Sequence, residues 1–111
     1  MEIEETKELE EYIKKGRWLA WLSYFGLLMI IPAVIYKDNP FVVYHVKQGL
    51  VLAMLNVLLA FLLIVLQTDK TIDLFANIFT MFLMITGILN AISGKMKPLP
   101  VIGEIAENLN L

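Results

Sequence analysis

The sequence predicts an all-α polytopic membrane bundle with three transmembrane helices, an N-terminal polar helix and a short C-terminal amphipathic helix at the membrane interface. Two observations carry this. Hydrophobic residues fill 59% of the 111 positions, charged residues 18%, and mean hydropathy is +0.71. A soluble domain of this size buries only about two-thirds of its unfolded surface and carries roughly 45–50% apolar residues. The charges also leave three long gaps, at 18–36, 48–68 and 74–94. At about 1.5 Å per residue each gap makes a helix of roughly 30 Å, enough to cross the hydrocarbon. The length allows one domain, and the absence of cysteine excludes a disulfide scaffold, a thiolate zinc site and a cysteine nucleophile.

Residues 1–17 form a polar helical extension. Its glutamates come early and Lys14, Lys15 and Arg17 come late, the order that suits the helix dipole. Glu10 with Lys14 and Glu11 with Lys15 are i,i+4 pairs in the favourable direction. The acidic start differs from the basic leader of a signal peptide, and Gly16 loosens the join to the first span. That span, 18–36, opens with Trp18, Trp21 and Tyr24 at headgroup level. Pro32 removes a backbone donor inside it and predicts a kink there. Lys37-Asp38-Asn39-Pro40 is a turn with a start signal, an asparagine cap followed by proline at the first helical position. The second helix runs from near 40 to near 66, with 40–47 at the interface and 48–68 crossing. Gln67–Asp73 is a polar loop that makes the second and third spans antiparallel neighbours, and Thr71 is placed to cap the third helix, 74–94. In 95–111, Pro98 and Pro100 stop that helix. Ile102, Ile105, Ala106 and Leu109 then form an apolar stripe expected to lie on the membrane.

No charge falls inside a span, which disfavours a proton relay or ion-coupled pump. The polar residues at membrane depth fall on faces. His45, Gln48, Gly49 and Asn56 share one side of the second span with Leu52. On the third, Thr80, Gly87 and Gly94 form a seven-residue series with Asn90 on its flank. Ala20, Ser23 and Gly26 recur every three residues in the first. Such faces either let helices approach closely or line a polar crevice for water or a substrate, and the sequence leaves both open. His45 has no acidic residue nearer than Asp38 in the chain, so no catalytic pair or metal set is visible. Phosphate loop, HExxH and GxSxG motifs are missing. The net charge of −2 argues against nucleic acid. The expectation is a non-enzymatic protein without cofactor, whose partners are membrane lipids and either further copies of itself or a larger membrane protein. The alternative is a channel or translocation subunit that forms a polar pathway as an oligomer.

Two stretches, Asn39-Pro40-Phe41-Val42-Val43-Tyr44-His45-Val46-Lys47-Gln48-Gly49-Leu50 and Ala91–Gly103, resemble the Tic-twenty-like family. That family comprises a chloroplast inner-envelope import component and small prokaryotic membrane proteins. The resemblance is sharpest at Pro40, Phe41, Val42, Tyr44, His45 and Gly49. It implies a helical membrane architecture and a special place for the Phe41–Gly49 segment at the start of the second span. Plant members look like four-span proteins, so an import function does not transfer to a three-span chain. The acidic start without a transit peptide suits a prokaryotic cell membrane. With three crossings, Lys and Arg divide five to four between the two sides, which leaves orientation undecided.

Overall fold

The computed structural model describes residues 2–109. Among them every regular element is helical: α1 (Glu2–Ala20), 3-10 turns at Trp21–Tyr24 and Gly26–Met29, α2 (Ile30–Ile35), α3 (Pro40–Val65), α4 (Lys70–Ile92) and α5 (Gly103–Glu107). Two helices, α3 and α4, are long and apolar enough to cross a membrane.

The expected first crossing at 18–36 is not one helix. α1 continues straight through Gly16 to Ala20, because Gly16 is a close-approach site where a Cβ would run into Val42 and Asn39. The helix then tightens into 3-10 geometry and is broken at Phe25 (φ −105, ψ 37) and Gly26 (φ +64). Glycine adopts this left-handed backbone without the penalty other residues carry. The break therefore precedes the kink expected at Pro32. Pro32 itself sits in the first turn of α2, where helical N–H groups lack intrahelical partners anyway, so its missing donor costs little.

α3 begins where the sequence says it should. The Asn39 side chain accepts from the backbone N–H of Phe41 (3.0 Å) and Val42 (3.3 Å), with Pro40 at the first position. It ends in a paired cap in which Gln67 N–H donates to the Ile64 carbonyl and Thr68 N–H to that of Leu63. The residue carried into left-handed backbone there is Gln67 (φ 51), a place glycine usually fills. α4 is capped by Asp69, whose carboxylate accepts from Ile72 N–H (3.0 Å). Thr71, the expected cap, lies one residue inside the helix. α4 ends in the same paired cap, now with Gly94 (φ +74) in the left-handed position and Lys95 N–H on the Asn90 carbonyl.

The C-terminal segment does not lay its whole apolar stripe on the membrane. Leu99, Ile102 and Ala106 are buried in the protein's own core, and Ile105 points outward. α5 packs on α3. Ala20, Tyr24, Phe41, Val42, Val46, Val51, Leu52, Leu83 and Ala91 complete the buried core, which lies at the end where α3 starts and α4 finishes. The rest of α3 and α4 is open. Only 17% and 11% of their most apolar windows are buried, whereas the core helix of a soluble protein would be mostly covered.

Candidate functional site

The buried polar residues gather in one cluster on the first three turns of α3. His45 is fully buried. Its Nε2 lies 2.8 Å from the Lys95 carbonyl and its Nδ1 2.6 Å from the Tyr24 hydroxyl. A carbonyl can only accept, so Nε2 carries the proton, and Nδ1 accepts from Tyr24. The ring is thus held as one neutral tautomer, with both nitrogens engaged. Phe41, Tyr44 and Tyr24 surround it edge-on at centroid distances of 4.8, 5.4 and 5.7 Å.

Gln48, one turn on and fully buried, clamps the C-terminal segment with both ends of its amide. Nε2 donates to the Gly103 carbonyl (3.1 Å) and Oε1 accepts from Leu99 N–H (3.1 Å). Tyr44 reaches the same segment from the surface, donating to Glu107 (2.7 Å). Asn39 adds a third tie: its amide nitrogen donates to the Tyr12 carbonyl of α1 (2.8 Å) while its oxygen caps α3. Two glycines let the backbone close around this cluster. A Cβ on Gly49 would fall on the Ser23 carbonyl, and one on Gly87 would strike the Tyr24 ring. Ser23 Oγ is the one buried side-chain polar atom among the described residues without a hydrogen-bond partner.

The polar face expected on α3 and α4 is therefore divided. His45, Gln48, Gly49 and Gly87 meet in the cluster. Asn56 and Thr80 sit elsewhere, on an open groove of about 470 Å3 between the two helices that also takes in Asn77, Thr68 and Asp73 near the connecting loop. The Thr80 hydroxyl bonds the Asn77 carbonyl of its own helix (3.0 Å), and that of Thr86 bonds Phe82 (2.8 Å), so neither ties two helices together. Asn90 is half-buried, and Gly94 lies beyond the end of α4, where it stops the helix. Tyr24, read from sequence as a headgroup aromatic, is 3% exposed and completes the histidine's bonding. Its signal was present: with Ala20 and Ser23 it continues a stripe of closely packed positions. Gly103 and Leu99 contribute backbone groups, which no side-chain pattern could announce. Chemically the cluster holds shape. It offers no ionised acid beside His45, and no group of three metal-ligating side chains occurs among the described residues.

Curated relatives share most of this chain. Magnetosome protein MmsF of Paramagnetospirillum magneticum is 32% identical over 91 residues, 82% of this chain and 85% of its own length. Magnetosome protein MamF of the same organism is 33% identical over 85 residues, 77% of each chain. The chain belongs to the MamF/MmsF family. MamF of Magnetospirillum gryphiswaldense agrees, at 30% identity over 78% of both chains. No family profile and no solved structure matches. These relatives overturn the Tic-twenty-like resemblance. The residues that suggested it have local structural duties in this MamF/MmsF-type chain: Pro40 starts α3, Phe41 and Val42 pack beneath the Asn39 cap, and Tyr44, His45 and Gly49 build the cluster.

Proposed function

We propose that this chain is a multi-pass integral membrane protein of the magnetosome type named for its relatives, acting by helix association with copies of itself or with larger membrane partners and catalysing no reaction. The observation that carries the reading is the apolar surface of α3 and α4, where Val57, Phe61, Ile64 and Phe75 are each more than 60% exposed in the single chain. Surface of that kind and length is stable against lipid or against other apolar helices. The closed bonding of His45 and Gln48 supports a non-enzymatic role and removes two side chains that a polar pathway would need.

The test has two parts. Membranes from expressing cells are washed with alkaline carbonate, and the retained protein is released for native mass spectrometry with its lipids and partners. The reading expects retention and a defined oligomer or partner complex. Release by carbonate would overturn the integral assignment, and a bare monomer from mild detergents and from bilayers, with nothing crosslinked to it, would overturn association. In a host that forms magnetosomes, a tagged chain is expected in the purified magnetosome fraction; confinement to the cell membrane would overturn that location.

A further inference from the structure

We infer that this chain crosses the membrane twice, that residues 12–39 form a re-entrant hairpin entering and leaving on one side, and that this side is cytoplasmic. The inference rests on the integral-membrane reading above and replaces the three-crossing topology. The contacts along α3 give the course of the hairpin. The Tyr12 carbonyl meets Asn39, Gly16 lies against Val42, and the Ser23 carbonyl lies against Gly49. The incoming limb thus runs parallel to α3 and has advanced about ten residues along it by Ser23, roughly 15 Å. Lys14, Lys15 and Arg17 keep its first turns at the interface, and its uncharged part, from Trp18, enters the hydrocarbon. There the chain turns at Phe25 and Gly26. The return limb, the second 3-10 turn and α2, must then be back at Asn39 by residue 39. It is: Ile35, Tyr36 and Asp38 line one small surface cavity with Tyr12 and Lys15, at the level where the hairpin began.

Nonhelical backbone at membrane depth is tolerated only where its polar groups find partners within the protein. The tip meets that condition through its own short bonds, Phe25 N–H to the Leu22 carbonyl (3.1 Å) and Leu28 N–H to that of Phe25 (3.4 Å). Its outward side chains suit lipid: Leu27, Ile30 and Val34 are exposed, while Tyr24 and Pro32 face the bundle. Farther along α3, Met54, Val57 and Phe61 stand open.

Two crossings change the charge accounting. The charged part of α1 through Arg17, the 37–39 turn and the 95–109 segment all lie on one side, and only Gln67–Asp73 reaches the other. Lys70 is then the one basic residue on the far side, and every other Lys and Arg flanks the near side. Lysine and arginine near span ends favour the cytoplasm, so the near side is assigned there. A partner in the opposite compartment meets a single short loop carrying Asp69, Lys70 and Asp73.

The chain has no cysteine, so single cysteines report cleanly. Glu8→Cys, Lys37→Cys, Lys70→Cys and Lys97→Cys all replace exposed side chains. Each is expressed in a bacterial host and treated with a membrane-impermeant maleimide in intact spheroplasts and after permeabilisation. We expect labelling of Lys70→Cys alone in intact cells, and of all four once permeabilised. Pairing of Glu8→Cys with Lys70→Cys against Lys37→Cys with Lys97→Cys would restore three crossings and overturn the hairpin. Labelling of every site except Lys70→Cys would keep the hairpin and overturn the orientation. Protein that carbonate strips from the membrane would instead count against the integral reading itself.

Discussion

One stripe runs down α3 through His45, Gln48, Leu52 and Asn56, and its two ends live differently. The first three are at most 2% exposed, and their polar groups are matched within the chain. Asn56, one turn further, faces an open groove. Residue type does not distinguish Gln48 from Asn56; their neighbours do. The packed half of α3 is surrounded by α1, the 3-10 turns and the C-terminal segment, and the open half faces α4 across the groove. An amide in a tight enclosure without a partner would be costly, so the sequence around the first half is heavily constrained. The second half is constrained mainly to be apolar.

Five substitutions test this contrast, and detergent unfolding or proteolysis can read each of them. Gly49→Val should do most harm, because its side chain would occupy the Ser23 carbonyl; backbone displacement in the core should cost about 3 kcal/mol or more. An unfolding midpoint near the parent's would break the picture of a packed end. Gln48→Leu should cost about 1–3 kcal/mol by leaving Leu99 N–H buried and unpaired and by removing the bond to the Gly103 carbonyl. Amide exchange should rise first across 96–109; uniform exchange would deny the clamp. Tyr24→Phe keeps the ring against Gly87 but removes the donor to His45, for about 1–2 kcal/mol. Gln67→Gly, at the open end, should stabilise by about 0.5–1 kcal/mol by relieving the left-handed glutamine. Asn56→Leu should shift stability by less than about 0.5 kcal/mol. If it matched Gln48→Leu, the groove would be closed in the membrane by something that bonds Asn56.

Much of the helical part was legible because helix boundaries are local chemistry. The Asn39-Pro40 start and the apolar lengths of α3 and α4 needed no knowledge of distant residues. The first span was read as one helix because composition reports how apolar a stretch is, and not where its backbone breaks. The decisive residues, Phe25 and Gly26, make an unremarkable pair in a run that also contains Pro32, the stronger helix breaker on paper. Proline's penalty vanishes in a first turn, while the glycine supplies the left-handed step. The cluster was half legible. His45, Gln48 and Gly49 stood out as polar or small residues on an apolar helix, and the angular count placed them together. Their partners lay 21 to 55 positions away, and apart from Tyr24 Oη they were backbone groups of Lys95, Leu99, Gly103 and Ser23. No periodicity encodes those.

The bonds of the cluster also set an order of events during synthesis. Tyr24, His45 and Gln48 emerge early, yet Lys95, Leu99 and Gly103 are made only after α4. Contacts so distant in sequence form late, after both long helices exist. Until then the Gln48 amide has no permanent partner, the imidazole has only Tyr24, and the cluster has no lid. A nascent chain halted just after α4 would already hold both long helices and still lack its clasp: it would be helical without being folded.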